Sequence, residues 1–229
     1  MTFLTWQEQL CLGGQTIFMN RYVREHYETG AAEEGITLPE SLQRAVSKRK
    51  AEFVAGRIAA KHALLNQGAS EPWVSIGNHR SPVWPDGFVG SISHTDNTAI
   101  SVVAKNGQLL SIGIDVENMM NETLCESVTK MVATPQELRI RSVTDWDETT
   151  FVSLMFSAKE SLFKALYPLV QRYLDFHDAR LVSLDPEHSL FTFELSQILQ
   201  QQTGRQFCHG HYLFLDDAVV TLICTEQDS

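Results

Sequence analysis

An amphipathic segment at residues 148–167 is the strongest constraint on how this chain can fold. Apolar side chains recur in it every three or four residues, which predicts a helix with one buried face. The members of this stripe are Phe151, Leu154, Met155, Ala158, Leu162, Ala165 and Leu166. Glu160 lies opposite the middle of the stripe, on the same side as Lys164 and three aromatic side chains. This side of the helix could carry an exposed ion pair, but the aromatic neighbours favour a cleft lining or packing on a second subdomain.

A short strand upstream carries two more carboxylates on one face. Residues 109–117 end in alternating apolar and polar side chains, so Asp115 and Glu117 project side by side. This arrangement suits a hard cation such as Mg²⁺, which takes oxygen ligands and often keeps waters and substrate phosphates. Solvated acids on a half-exposed strand are the alternative, and the strand taken alone favours it. If the strand meets the helix, Glu160 would supply a third ligand or a general base.

Positive charge is concentrated in a few places of an otherwise acidic chain. Lys159 and Lys164, in the helix just described, could hold phosphate oxygens as point charges. Arg49 and Arg57 lie eight residues apart on a predicted helix at 40–66, close to the same face. Their guanidinium groups could clamp an anionic ligand, although a charge run is more often a solvated face.

The order of the predicted elements indicates an α+β architecture, because helices are interleaved with mostly short strands. Helices are predicted at 40–66, 135–140 and 148–167, and strands at 72–76, 88–92, 98–104, 109–117, 178–184, 190–195 and 212–225. The strands at 98–104 and 109–117 are predicted to form a hairpin, since Asn106-Gly107 between them is a strong turn signal. His94, just beyond an earlier strand, is either a structural histidine or a phosphate contact.

A weak internal repeat points to two similar halves. A polar turn followed by an apolar strand occurs at 95–103 and again at 215–223. The predicted subdomains are therefore 1–117, with the basic helix and the carboxylate strand, and 118–229, with the helix that carries Glu160. Any turn followed by a buried strand would look alike, so the pattern leaves duplication and coincidence both open.

Composition narrows the classes of protein to consider. The formal net charge of −10 argues against a nucleic-acid-binding protein, which would carry a basic excess. No apolar run approaches the length of a membrane span, and the first residues do not resemble a signal peptide. The four cysteines are far apart, which fits a reducing cytoplasm. We expect a cytoplasmic monomer.

Two motifs in order give the chain a specific resemblance. The segment GIDVE at 113–117 is followed, after a gap of about forty residues, by FSAKESLFK at 156–164. This pair resembles the 4′-phosphopantetheinyl transferases. The upstream segments RKAEFVAGR at 49–57, RSPVWP at 80–85 and VGSISHT at 89–95 are similar to its siderophore-type, enterobactin synthetase component D-like branch.

The resemblance implies a fold and a reaction. The fold is two pseudo-symmetric α/β subdomains with the active site, where coenzyme A binds, in the cleft between them. A serine of an apo acyl, peptidyl or aryl carrier protein attacks the β-phosphate of coenzyme A, takes up phosphopantetheine, and releases adenosine 3′,5′-bisphosphate. The branch implies siderophore synthesis, with other secondary-metabolite or polyunsaturated fatty-acid synthesis also open.

The resemblance also implies roles for individual residues. Asp115, Glu117 and Glu160 would hold Mg²⁺, or Mn²⁺ in its place. Glu160 would take the serine proton, directly or through water, and Lys164 with Lys159 would stabilise charge at the leaving phosphate. The residues expected to contact coenzyme A are Arg49, Arg57, Arg80, Ser93, His94, Lys159 and Lys164.

Two other functions compete with transfer. A Mg²⁺-dependent phosphotransferase or nucleotidyltransferase would use similar carboxylates, but the chain has no Walker A and no GxGxxG pattern. A non-catalytic module that binds coenzyme A or a carrier protein is the stronger alternative. The occurrence of several motifs in order makes a purely structural domain the weakest interpretation.

Overall fold

The computed structural model describes residues 2–77 and 81–226 and divides into two units, Met1–Leu109 and Leu110–Ser229. The architecture is α+β, as predicted. None of the helices within the described residues is both long and apolar enough to span a membrane.

The N-terminal unit is a four-stranded antiparallel sheet with a long helix on one face. The strands are β1 (Leu4–Leu12), β2 (Gln15–Tyr22), β3 (Ser75–Ile76), β4 (Pro82–Val83), β5 (Phe88–His94) and β6 (Thr98–Lys105), and the helices are α1 (Tyr27–Glu34) and α2 (Ser47–Asn66). The sheet order is β1-β2-β6-β5, while β3 and β4 pair separately. Helix α2 packs against β6, β2 and β5 through a buried row of alanines, which lets it approach the sheet closely.

Helix α2 is shorter than the predicted 40–66. Only a single 3-10 turn forms at Glu40–Leu42, and Val46 then adopts an extended backbone (φ −64°, ψ 153°). The helix therefore begins at Ser47. The prediction was too long because residues 40–45 include good helix formers, and their propensity is only a weak guide to tertiary structure.

The C-terminal unit is a five-stranded antiparallel sheet with helices packed on it. Its helices are α3 (Glu122–Val132), α4 (Pro135–Ile140), α5 (Glu148–Val170) and α6 (Gln197–Thr203), and its strands are β7 (Ser111–Asn118), β8 (Ala179–Asp185), β9 (Leu190–Leu195), β10 (Phe207–Phe214) and β11 (Ala218–Thr225). The order is β7-β11-β10-β9-β8. The apolar stripe predicted from the sequence is buried, and α5 packs mainly on β7 and β11.

Hydroxyl groups fix α5 on the sheet. The Ser157 and Ser161 hydroxyls, one helical turn apart, both hydrogen-bond the Thr221 hydroxyl of β11, at 2.9 and 2.6 Å. Ser161 also donates to the Thr221 carbonyl at 2.9 Å. These groups are buried, so each hydrogen bond avoids the cost of an unsatisfied polar group. They set which face of α5 meets β11.

Gly113 of β7 allows the close approach of α5. A Cβ atom at this position would lie 2.0 Å from the Ser161 carbonyl oxygen and 2.5 Å from the Ala165 nitrogen, both backbone atoms. Because backbone atoms cannot turn aside, we expect Gly113→Ala to lower the free energy of unfolding by about 3 kcal/mol. Chemical denaturation measures this change. Asn118→Ala, at the exposed end of the same strand, is the control, and an equally small effect at both positions would contradict the packing.

The hairpin predicted between 98–104 and 109–117 does not form. Strand β6 pairs with β2 on one side and β5 on the other, and β7 pairs with β11. The carboxylate strand therefore belongs to the C-terminal unit, and the boundary lies at Leu109 rather than after residue 117. The chain does turn at this point, since Gly107 has a φ of +98°. The turn connects the two units and not two paired strands.

The repeated segments occupy equivalent places in the two units. In each, a turn closed by one backbone hydrogen bond leads into a strand against which the long helix packs. The Thr95 N–H donates to the Thr98 carbonyl before β6, and the Leu215 N–H donates to the Ala218 carbonyl before β11, both at 2.8 Å. The pattern at 95–103 and 215–223 thus reflects a shared turn-and-strand arrangement.

Candidate active site

Strand β7, the carboxylate strand with Asp115 and Glu117, meets helix α5, the motif helix with Glu160 and Lys164, in the C-terminal unit. The Lys164 ammonium of α5 donates to Asp115 Oδ1 at 2.7 Å and to the Ile114 carbonyl at 3.1 Å. Asp115 is only 2% exposed, while Glu117, two residues later on β7, is half-buried. The sequence prediction that strand and helix come together is confirmed for Asp115 and Lys164.

The carboxylates influence one another electrostatically. Burial, followed by the charge of Asp115, raises the pKa of Glu117 to about 8, although Lys164 opposes the shift. Burial likewise raises the pKa of Glu160 above its ordinary value, with Lys164 opposing and Asp115 adding to the shift. Within the part of the chain that the structure describes, these three carboxylates are therefore opposed by the Lys164 ammonium, and the site carries an excess of negative charge.

This excess of negative charge fits a divalent cation. Among residues 2–77 and 81–226, no three His, Cys, Asp or Glu side chains are already arranged to hold a metal ion. Mg²⁺ does not require such a cage, because one or two carboxylates, waters and substrate phosphates commonly complete its octahedral shell. The donor set of Asp115, Glu117 and Glu160 provides oxygen ligands of the right kind.

The raised pKa of Glu117 predicts a pH-dependent stability in the absence of metal. Glu117 binds its proton more tightly in the folded chain, so stability falls as pH rises from its ordinary value of 4.5 to about 8. In EDTA we expect Glu117→Gln to melt about 3 °C or more above the wild type at pH 8, and the gap to shrink at pH 5. Melting curves at the two pH values measure this.

The exposed Glu122, at the start of α3, supplies the matched control for this measurement. Glu122→Gln should leave the melting temperature close to that of the wild type at both pH values. A gap between wild type and Glu117→Gln that is the same at pH 5 and pH 8 would contradict the burial and charge effects at Glu117.

Lys159 does not contact the cluster formed by Asp115, Glu117, Glu160 and Lys164. The prediction that it helps Lys164 to hold phosphate is therefore wrong. Its ammonium donates to the carbonyls of Val132 and Phe176 at 2.7 and 2.9 Å and forms an ion pair with Glu137 Oε1 at 2.8 Å. These three acceptors use all three N–H groups, and Lys159 is only 4% exposed. Phosphate would find no donor left on this side chain.

A cavity of about 220 Å³ lies beside Glu160. Its walls are mostly aromatic and apolar, including Phe163, Tyr173, Phe176 and Leu199. The rings of Phe163 and Tyr173 lie parallel, with centroids 6.2 Å apart. The prediction that the Glu160 side of the helix lines a cleft is therefore confirmed within this unit.

The N-terminal unit contains a second cavity, of about 190 Å³, lined by cationic groups. Arg49, Arg57 and His94 line it, and burial together with the charge of Arg49 lowers the pKa of Arg57 to about 10. Among the described residues, the buried Nε atoms of both arginines have no hydrogen-bond acceptor. Two close guanidinium groups with unused donors are suited to an anion. The Arg57 guanidinium also lies 4.7 Å from the centre of the Phe53 ring.

Sequence reasoning missed Glu52 in this second cavity. Its carboxylate accepts a hydrogen bond from Arg49 at 3.3 Å and lies 4.0 Å from His94. Its spacing of three residues from Arg49 was the available signal. The Arg49 guanidinium also donates to His94 Nε2 at 3.3 Å, so Glu52 and His94 together fix the Arg49 side chain.

Two other predicted contacts differ from the structure or lie outside it. Ser93 is buried, and the alternation of β5 directs its side chain away from the face where Ile92 and His94 line the cavity. The Ser93 side chain is therefore not part of the cavity wall. Arg80 lies outside the described residues.

Comparisons with known proteins agree with the motifs. A family model described as the 4′-phosphopantetheinyl transferase superfamily matches residues 111–223, and one described as the 4′-phosphopantetheinyl transferase N-terminal domain matches residues 38–104. The chain is 38% identical to 4′-phosphopantetheinyl transferase Svp of Streptomyces mobaraensis, over 76% of this chain and 72% of the relative. It is 39% identical to enterobactin synthase component D of Escherichia coli K12, over 79% of this chain and 80% of the relative.

A solved structure also aligns with part of the chain. The holo-[acyl-carrier-protein] synthase of Thermotoga maritima is 18% identical, with a TM-score of 0.41, over 53% of this chain and 66% of that one. The resemblance inferred from the motifs is confirmed by the family models and curated relatives, and the chain belongs to the 4′-phosphopantetheinyl transferase superfamily.

Proposed function

We propose that this protein transfers 4′-phosphopantetheine from coenzyme A to a serine of an apo carrier protein. The observation that carries the proposal is the contact of 2.7 Å between Lys164 of α5 and the buried Asp115 of β7, with Glu117 and Glu160 close enough for both charges to affect their pKa values. In the reaction the serine Oγ forms a bond to the β-phosphorus of coenzyme A. The bond from that phosphorus to the bridging oxygen breaks, and adenosine 3′,5′-bisphosphate leaves.

Mg²⁺ would be held by Asp115, Glu117 and Glu160, with Mn²⁺ as a substitute. When bound, the ion would neutralise charge that develops on the pyrophosphate as the bridging oxygen leaves. The mutual repulsion of the carboxylates supports this assignment, because a divalent cation would allow all three to ionise together.

Glu160 is the best-placed group to take the serine proton. Burial raises its pKa, and a carboxylate with a higher pKa is a stronger base. Lys164 lies one helical turn later, and its ammonium is held between Asp115 and the Ile114 carbonyl. From there it would donate to phosphate oxygens and stabilise charge on the leaving group.

The apolar cavity beside Glu160 would hold the pantetheine arm. The arm extends from the phosphorus that is attacked, so it must lie next to the group that takes the serine proton. Phe163 and Tyr173 offer aromatic walls for a flexible chain that has few charged atoms.

The cationic cavity of the N-terminal unit would hold the 3′-phosphate of coenzyme A. We therefore expect Arg57→Gln to raise KM for coenzyme A about tenfold or more while leaving KM for 3′-dephospho-coenzyme A nearly unchanged, because only the first ligand carries that phosphate. Initial rates with the two substrates measure this. Equal losses for both substrates would place the 3′-phosphate elsewhere.

The name of the Escherichia coli relative, enterobactin synthase component D, supports a siderophore pathway, and other secondary-metabolite pathways stay open. Such pathways use peptidyl or aryl carrier domains, so an apo domain of this kind is the first substrate to test. Intact mass spectrometry of that domain, after incubation with the protein, coenzyme A and Mg²⁺, should show the gain of one phosphopantetheine. EDTA should prevent the gain. Calorimetric binding of coenzyme A without any transfer, across several carrier types, would instead favour a non-catalytic binding module.

A further inference from the structure

A buried ion pair lies directly beneath the motif helix, and the proposed reaction does not use it. Glu137 of α4 and Lys159 of α5 are 1% and 4% exposed, and their charged atoms are 2.8 Å apart. Lys159 immediately precedes Glu160, the proposed base. The pair therefore anchors the helical turn on which the reacting carboxylate stands.

The Glu137 carboxylate joins three segments of the C-terminal unit. Its Oε2 atom accepts from the Thr134 N–H and hydroxyl at 2.9 and 2.8 Å, which completes the capping box of α4. Its Oε1 atom accepts from the Leu181 N–H of β8 at 2.9 Å, as well as from Lys159. These hydrogen bonds outweigh the effect of burial and hold the pKa of Glu137 below its ordinary value.

The Lys159 ammonium joins two further segments. It donates to the Val132 carbonyl at the end of α3 and to the Phe176 carbonyl in the turn before β8. Phe176 lines the cavity beside Glu160, and its ring lies 5.8 Å from that of Phe156. The same ammonium thus fixes the helix and one wall of the cavity.

Stability alone is a weak explanation for such a pair. Removing two charges from water is costly, and well-packed apolar residues in place of a buried ion pair are often neutral or stabilising. The directional hydrogen bonds provide something that apolar packing does not, because they hold α5 in one rotational setting. On the other side of the helix, Ser157 and Ser161 hold it to Thr221.

A small rotation of α5 would displace Glu160 and Lys164 from Asp115. Successive residues on a helix are about 100° apart, so the anchor at Lys159 and the base at Glu160 turn together. We propose that Glu137 and Lys159 are positioning residues that fix the rotation of α5 and so aim Glu160 and Lys164 at the reacting phosphate. This inference rests on the proposed function.

The test compares Lys159→Met, Glu137→Gln and the double variant with the wild type. At a temperature where each variant is folded, both single variants should lose about tenfold or more in kcat, since small misplacements of catalytic groups are costly. KM and the calorimetric affinity for coenzyme A should change much less than kcat. The double variant buries no unpaired charge, so its melting temperature should return towards that of the wild type while its turnover stays low. If a single variant fails to fold, the double variant alone is compared with the wild type.

The exposed pair Arg180 and Glu194, on β8 and β9, provides the matched control. Arg180→Met, Glu194→Gln and their combination should leave turnover unchanged. Normal kcat in the folded variants of Glu137 and Lys159, or turnover that returns with melting temperature in the double variant, would overturn the positioning role. A wild-type protein that transfers no phosphopantetheine would instead overturn the proposed function and this inference with it.

Discussion

Replacing Glu160 by glutamine should lower phosphopantetheine transfer by at least about 100-fold while leaving the protein folded. The substitution keeps the shape of the side chain but removes a metal ligand and the proposed base together. Burial and the charge of Asp115 disfavour ionised Glu160, so the neutral amide should leave the melting temperature unchanged or raise it. Initial rates by intact mass spectrometry, together with melting curves, separate the two effects.

Glu148→Gln is the matched control for this result. Glu148 lies on the same helix, in its exposed first turn, far along the chain from the cluster. The Glu148→Gln protein should transfer phosphopantetheine at the wild-type rate. Transfer by Glu160→Gln within a few-fold of the wild type would show that neither the proton nor the metal depends on this carboxylate.

Asp115→Asn should cause a loss of transfer of similar size, about 100-fold or more, for a different reason. It removes a metal ligand that is also the buried ion-pair partner of Lys164. The ammonium would lose its closest anion, so we also expect the free energy of unfolding to fall by about 1 to 3 kcal/mol. Rates and chemical denaturation measure the two losses.

The same substitution should alter the behaviour of Glu117. The charge of Asp115 helps to raise the pKa of Glu117, so its removal should bring that pKa down from about 8 and weaken the pH dependence of melting in EDTA. Asp145→Asn, at an exposed position before α5, should change neither activity nor pH dependence. A fully active Asp115→Asn protein would rule out Asp115 as an essential ligand.

The long motif helix could be predicted from the sequence because its local signals agree. The stripe from Phe151 to Leu166 has helical spacing, and Asp147 caps the first turn by accepting from the Thr150 N–H at 2.8 Å. Its neighbour in the site, β7, could be predicted as a strand because alternation from Ile112 onward is a local property. An element predicted from such a local pattern forms when its apolar face also packs against another element in the tertiary structure.

Pairing partners could not be predicted in the same way. The Asn106-Gly107 turn predicted a hairpin, but β7 pairs with β11, which lies about one hundred residues later in the chain. Conversely, the two-residue turn at Gly13-Gly14 is a recognised hairpin signal, with φ values of +54° and +73°, and the strand pair β1-β2 that it joins was not predicted. Turn signals report chain reversal but do not determine which strands become neighbours.

Side-chain roles within the motif also needed the structure. Lys159 and Lys164 look equivalent in the sequence, five residues apart beside the same glutamate. Only the fold shows that Lys164 reaches Asp115 while Lys159 turns inward to Glu137. The spacing from Thr134 to Glu137 is typical of a capping box, but a cap gives no indication of a second, distant ion-pair partner.

Binding of Mn²⁺ is the most direct test that the carboxylate cluster is the centre that handles coenzyme A. An electron paramagnetic resonance titration, with and without coenzyme A, should show one Mn²⁺ bound per chain and tighter binding when coenzyme A is present. Asp115→Asn should weaken that binding by about tenfold or more, since a lost ligand costs at least as much as a lost supporting group. Mn²⁺ binding that is absent in the presence of coenzyme A, or unchanged in Asp115→Asn, would contradict the assignment of the metal to this cluster.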